Sequence, residues 1–228
     1  MLNNLSEFEQ VIDVAPGFYE KIYLCFVRGA AGRVRGAVGI VGCNNARVTQ
    51  DQGIVELIKK FIAQDVLVVV TGCAATAGAK YGYLSPEILE WAGPGLREVM
   101  EAIGIPPVLH LGSCVDNSRI LTVLTQVATE GGVGEDISDI PAVGICPEWM
   151  CEKAIAIGTY FVASGAYVLF GVNSPVKASS VVTDLIYSGW EKEVGGKLEF
   201  EHDMGKLFEK ALAHIDAKRA ALKLAPYE

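Results

Sequence analysis

Cysteines follow three of the apolar segments in this sequence. Cys43 comes after AVGIVG, Cys73 after VLVVVTG and Cys114 after PVLHLGS. Each segment is short and ends in small residues, which is typical of a buried β-strand that turns into a loop. Because the carboxyl ends of parallel strands meet at one edge of a sheet, we expect the three thiols to converge there. Soft thiolates that converge favour a metal or iron–sulfur site.

A second interpretation explains each cysteine taken alone, since free cysteine is among the most buried residue types. The chain has six cysteines but no C-x-x-C pair that would specify zinc or a standard iron–sulfur centre. Spacing alone therefore leaves both a shared metal site and separate core thiols open.

The pattern around the cysteines predicts an α/β fold with a doubly wound, mainly parallel sheet and flanking helices, which is a Rossmann-like arrangement. Short apolar runs alternate with amphipathic stretches from Ala37 onward. A helix capped by Asn117 or Ser118 follows the third cysteine, and Met204 to Leu222 forms a last amphipathic helix. The five predicted strands are Ala37 to Gly42, Val66 to Thr71, Val108 to Gly112, Ala142 to Ile145 and Tyr167 to Gly171.

We predict one domain over residues 37–228, preceded by a connecting segment over residues 1–36. A net charge of -8 and a pI near 5.0, without clustered Lys and Arg, argue against a nucleic-acid partner. The amino terminus lacks the basic start and apolar run of a signal peptide, and glycines interrupt the longest apolar stretch. We expect a cytoplasmic protein with reduced thiols and no membrane span.

Several segments, in order, resemble the carboxy-terminal domain of the anaerobic nickel-iron-sulfur carbon monoxide dehydrogenases. The resemblance runs from about Ala37 to the end of the chain. The segments that carry it are VGIVGCNN, TGCAA, AGPGL, HLGSCVDNSR and PEWMCEKA.

The resemblance implies a share of the family's C-cluster, a nickel-iron-sulfur cubane with a further iron outside it. Cys43 and Cys73 match cysteines that bind cubane irons, and Cys114 matches the cysteine that binds nickel. Lys153 is similar to the family lysine that hydrogen-bonds the bound carboxylate during the interconversion of CO and CO2. Ile157, one helical turn further, is expected to narrow the same pocket.

The resemblance also implies partners. The family cluster takes a histidine and two more cysteines from an upstream domain, and further 4Fe-4S clusters lie near the family's amino terminus. The chain looks like the carboxy-terminal third of such an enzyme, which is a homodimer when complete. It would oxidise CO with water to CO2, pass electrons to ferredoxin and have acetyl-CoA synthase as a further candidate partner. An isolated chain is expected to fold, to be inactive and to expose apolar surface where the missing part would sit.

Other candidates carry less weight. Cys146 and Cys151 have C-x4-C spacing but match no family ligand, so we interpret them as core or loop thiols, and Cys25 as buried. His110 is expected to be a core histidine in a strand. Two alternative functions stay open: a non-catalytic α/β module that binds a partner or a metal, and a relative of the hybrid-cluster proteins.

Overall fold

The computed structural model describes residues 33–129, 134–173 and 178–224. At its centre lies a sheet of six strands, in which every neighbouring pair runs parallel. The strands are β1 (Gly36–Ile40), β2 (Val66–Val70), β3 (Val108–His110), β4 (Ala142–Cys146), β5 (Tyr167–Phe170) and β6 (Lys197–Phe200).

Helices connect the strands, as a parallel sheet requires. They are α1 (Gln52–Ile62), α2 (Gly72–Lys80), α3 (Pro94–Ile103), α4 (Ser118–Thr129), α5 (Glu152–Ala163), α6 (Ser180–Asp184), α7 (Trp190–Val194) and α8 (Met204–Ala221). A π-turn over Leu185–Gly189 joins α6 to α7. Turns of 3-10 helix cover Pro86–Trp91, Cys114–Asn117 and Ile137–Asp139.

The strand order is β3-β2-β1-β4-β5-β6, so the chain winds outward from β1 in one direction and from β4 in the other. In an open sheet, the crevice for a ligand lies where the winding direction reverses, at the carboxyl ends of the strands. Here that position is between β1 and β4, where Ile40 is paired with Ile145. The loops after Ile40 and Cys146 therefore face each other across the crevice.

Apolar side chains cover both faces of the sheet because its strands are buried between two helical layers. One core cluster joins Val38 and Ile40 to Leu57 of α1 and Ile215 of α8. The second contains Phe161 of α5 together with residues of α4, β5 and β6. The two clusters confirm the doubly wound class.

The five predicted strands are confirmed to within two residues at their ends, but β6 was missed. This strand is short and its exposed-side residues Lys197 and Glu199 are charged, so it lacks the apolar run of the others. Helix α2 was also missed, because GCAATAGAK has no large apolar residues at helical spacing. The connecting segment lies almost wholly outside the described residues, and the domain boundary stays a prediction.

Candidate metal centre

The three predicted cysteines follow three adjacent strands at one edge of the sheet. Cys43 lies in the loop after β1, Cys73 is the second residue of α2 after β2, and Cys114 begins the 3-10 turn after β3. Cys43 and Cys114 are half-buried and Cys73 is exposed. The topology therefore places all three at the edge that the sequence predicted.

Cys43 is fixed to the loop that follows β4. Its backbone N–H donates to the Glu148 carbonyl over 2.9 Å, and the N–H of Asn45 donates to Glu148 Oε2 over 2.8 Å. Glu148 is almost fully buried, so burial raises the pKa of its carboxyl above the usual range while the Asn45 N–H opposes the rise. Two loops from opposite sides of the crevice are thereby joined.

The asparagines of GCNN have structural roles beside Cys43. Asn44 Nδ2 donates to Asp51 Oδ1 over 2.8 Å, and Asn45 Nδ2 donates to the Trp149 carbonyl over 2.8 Å. Gly42 has φ of 108°, a region that disfavours side chains. These contacts explain why small and amide residues surround the cysteine.

The loops after β2 and β3 touch each other. A Cβ at Gly72 would lie 3.2 Å from Cys114 Cβ, and the Gly72 N–H donates to the Gly112 carbonyl over 3.0 Å. Thr71 Oγ1 donates to the buried Asn117 Oδ1 over 2.5 Å. Cys73, next to Gly72 in the chain, is therefore close to the backbone that carries Cys114.

The helix start after Cys114 differs from the prediction. The cap is neither Asn117 nor Ser118 but Ser113, which forms a capping box with Asp116. Hydrogen bonds from the Ser113 hydroxyl and backbone N–H lower the pKa of the Asp116 carboxyl. The box begins a 3-10 turn at Cys114, so it fixes the backbone of that cysteine.

Cys151 lies at the site, although sequence reasoning left it out. Its Sγ is 3.8 Å from Cys43 Sγ, within reach of an S–H···S hydrogen bond. Cys146 is confirmed as a core thiol, and its Sγ donates to the Glu148 carbonyl over 3.2 Å. Burial raises the pKa of the Cys43 thiol, and Cys151 adds to this effect; burial raises the pKa of Cys146 still more.

An apolar cavity of about 90 Å³ adjoins these thiols. Cys43, Cys114 and Cys151 line it together with Lys153 and Ile157 from the first two turns of α5. Its remaining walls are mainly aliphatic side chains of β1, β4, α4 and α5. Such a cavity accommodates a small uncharged molecule and disfavours water.

The residue types at this edge fit the ligands of an iron–sulfur cluster. Cysteine thiolates are the usual ligands of such clusters, and Cys43, Cys73 and Cys114 follow three adjacent strands. Among the described residues, no group of three His, Cys, Asp or Glu side chains is placed to hold one metal ion.

His110 and Cys25 complete the set of sequence candidates. His110 does lie in β3, but it is exposed, so its interpretation as a core histidine was wrong; the edge strand ends there, and its Nδ1 accepts from the Gly112 N–H over 2.9 Å. Cys25 lies outside the described residues. Val115 and Met150, beside Cys114 and Cys151, are 67% and 65% exposed, and the apolar surface expected toward a missing part stays a prediction. In the described segments, no helix has the length and apolar character needed to cross a membrane.

Comparison with known proteins identifies the family. Residues 8–205 match the model of the Prismane/CO dehydrogenase family. The chain is 49% identical over 195 residues to carbon monoxide dehydrogenase 1 of Methanosarcina mazei. The aligned region covers 86% of this chain and 31% of the relative. It is 40% identical over 202 residues to carbon monoxide dehydrogenase 2 of Carboxydothermus hydrogenoformans, with coverages of 85% and 31%.

Solved structures give the same result. A Ni-free carbon monoxide dehydrogenase from Thermococcus sp. AM4 superposes with a TM-score of 0.85 and 45% identity, over 95% of this chain and 34% of that one. An acetyl-CoA synthase/carbon monoxide dehydrogenase described with NiZn[Fe4S4] and NiNi[Fe4S4] clusters superposes with a TM-score of 0.84 and 31% identity. The match covers 96% of this chain and 33% of that chain. The chain spans about a third of the length of these relatives. With its six-stranded parallel sheet and its strand-end cysteines, this chain belongs to the Prismane/CO dehydrogenase family.

Proposed function

We propose that this chain supplies part of the active site of an anaerobic carbon monoxide dehydrogenase, which oxidises CO with water to CO2 and passes the electrons to ferredoxin. The observation that carries the proposal is that Cys43, Cys114 and Lys153 line one apolar cavity at the carboxyl end of the sheet. Relatives named carbon monoxide dehydrogenase, at 40–49% identity, support it.

Cys43, Cys73 and Cys114 would hold a nickel-iron-sulfur cluster, with Cys114 toward nickel. Such a cluster would supply the chemistry for a two-electron oxidation. The chain contributes the thiolates and the two loop contacts, Cys43 N–H to Glu148 and Gly72 N–H to Gly112, that fix their backbone. The remaining ligands and the electron-transfer 4Fe-4S clusters would come from the part of the relatives that this chain does not cover.

Lys153 is the residue that interacts with the charge on the substrate in this arrangement. It lies in the first turn of α5, and its ammonium stabilises the negative charge that develops on a substrate oxygen at the cavity. The same group can donate or accept a proton there. Ile157 and the aliphatic walls give the cavity an apolar lining, and Lys153 stands at this cavity as an exposed residue.

The test compares variants of the anaerobically purified protein that contains this chain, together with any larger polypeptide that co-purifies. Lys153→Ala should reduce CO-dependent reduction of a dye by roughly 10²-fold to 10³-fold while Ni and Fe contents stay unchanged. Cys114→Ala should remove nickel and activity together. Lys192→Ala, an exposed lysine of α7, is the matched control and should leave the rate unchanged.

Two results would count against the proposal. Full CO oxidation in both Lys153→Ala and Cys114→Ala would exclude the assigned roles. A protein free of Ni and Fe after anaerobic purification, without a co-purifying partner, would favour the alternative function, a non-catalytic α/β module. This second result bears on the proposal because the chain spans only about a third of the length of its relatives.

A further inference from the structure

The thiols of Cys43 and Cys151 form a contact that the cluster does not explain. Their Sγ atoms are 3.8 Å apart, although the two residues are 108 positions apart in sequence. Both residues line the cavity and both are half-buried, so part of their surface is open to the solvent. Cys151 matches none of the predicted ligands, so its position beside Cys43 calls for a separate explanation.

Closing the pair into a bond requires the two sulfur atoms to approach each other. A disulfide has an S–S distance of about 2.05 Å, so the separation of 3.8 Å must shrink through rotation about the Cα–Cβ bonds and adjustment of the two loops. Residues 148–150, just before Cys151, are neither helix nor strand, and the hydrogen bonds of Glu148 and Trp149 to the Cys43 loop keep the two cysteines side by side. On the other side, Cys43 stands in a loop three residues beyond the end of β1.

Cys146 is the competing thiol, and its burial and hydrogen bonding limit its reaction with an oxidant. It is 2% exposed, and its Sγ donates to the Glu148 carbonyl over 3.2 Å. It also lies beneath Gly42, where a Cβ would come within 2.6 Å of its Sγ. Cys146 also lines the cavity, but it is buried, so an oxidant in the solvent reaches the half-buried Cys43 and Cys151 more readily.

We propose that Cys43 and Cys151 form a reversible disulfide when Cys43 holds no metal, with a low-molecular-weight disulfide as the oxidant. One thiolate attacks the small disulfide, forms a mixed disulfide and releases one small thiol. The second thiolate then attacks the protein sulfur of that mixed disulfide and releases the other small thiol. In sum, two cysteine thiols are oxidised to one disulfide, and one small disulfide is reduced to two thiols.

The disulfide would protect Cys43 from further oxidation and would prevent it from binding a metal. A disulfide sulfur is no longer a thiolate ligand, and it resists the further oxidation of a free thiolate to sulfinic and sulfonic acids. Oxidation would thus keep Cys43 recoverable but unable to take up iron. This consequence for iron uptake rests on the proposed function, whereas formation of the bond does not.

The first experiment uses the 228-residue chain freed of metal with a chelator, reduced and desalted under nitrogen. Incubation of the Cys73→Ser variant, which lacks the exposed thiol, with glutathione disulfide should lower the count of free thiols by two from five, and dithiothreitol should restore it. Mass spectrometry of a non-reduced digest should find the peptides of Cys43 and Cys151 joined. An unchanged thiol count, a stable mixed disulfide with glutathione at Cys43 or Cys151, or a bridge to Cys146 would overturn the proposal.

Matched variants make the test specific. Cys151→Ser should abolish the internal bridge, whereas Cys114→Ser, which changes another thiol at the same cavity, should leave it intact. Circular dichroism verifies that each variant is folded. A bridge that forms equally in Cys151→Ser would refute the assignment.

The second experiment separates this inference from the proposed function. The bridged and the reduced chain are each incubated with ferrous iron and sulfide, and the bound iron is measured. Less iron on the bridged chain, restored by reduction, would support a ligand role for Cys43. Equal iron on both, with the bridge present, would refute that role and its consequence while the disulfide itself stands.

Discussion

Gly42 offers the sharpest test of how the Cys43 loop is held. Two separate costs oppose a side chain there. The φ of 108° is unfavourable for any residue with a Cβ, and the new Cβ would overlap the Glu148 carbonyl and come within 2.6 Å of Cys146 Sγ. The first cost is about 1–3 kcal/mol and the second, as overpacking, is also about 1–3 kcal/mol. Gly42→Ala should therefore lose about 2–6 kcal/mol of unfolding free energy, a large share of the stability of a typical domain.

Gly82→Ala is the matched control, because Gly82 also has a positive φ, of 75°, but has nothing within 4 Å of the position of its Cβ. It should lose only the backbone cost, about 1–2 kcal/mol. Both variants are compared with the parent chain by urea denaturation followed by far-ultraviolet circular dichroism. The reasoning fails if Gly42→Ala is no less stable than Gly82→Ala, since the contact with the loop after β4 would then be unimportant.

Two further predictions concern stability. Burial lowers the pKa of His214 from 6.5 to about 4. As the pH falls, this histidine is therefore protonated in the unfolded chain before it is protonated in the folded chain. The free energy of unfolding is highest above about pH 6.5 and falls by up to about 3 kcal/mol as the pH drops toward 4. His214→Phe should flatten this part of an acid-denaturation curve, and an unchanged slope would contradict the assignment. Thr71→Val leaves the buried Asn117 Oδ1 without its donor and should cost about 1–3 kcal/mol by urea denaturation, whereas Thr76→Val, at an exposed hydroxyl, should cost less than about 1 kcal/mol.

The sequence indicated the strands and the cysteines after them because both are local features. Short runs such as VLVVV, followed by glycine and cysteine, need no knowledge of their neighbours. The edge at which Cys43, Cys73 and Cys114 would meet followed from the general geometry of parallel sheets.

The pairing of Cys43 with Cys151 was not accessible in the same way. It depends on β4 lying next to β1, and the sequence predicts strands without predicting their order. The buried position of Glu148 beside Asn45 depends on the same adjacency. The position of Ser113 as the cap was a local feature, and the S-x-x-D pattern over Ser113 to Asp116 was a signal that sequence reasoning overlooked.

The hydrogen bonds of the Cys43 and Gly72 amides bear on how metal would be acquired. Each joins a ligand-bearing loop to its neighbour through the chain's own backbone, at 2.9 Å and 3.0 Å. Part of the conformational entropy that a cluster must otherwise remove on binding is therefore already lost during folding. Amide hydrogen exchange at these two positions should be slow in the metal-free chain. The loops that carry the cysteines would then be ordered before metal arrives. The rate of metal uptake would therefore depend on access to the thiols rather than on ordering of the loops.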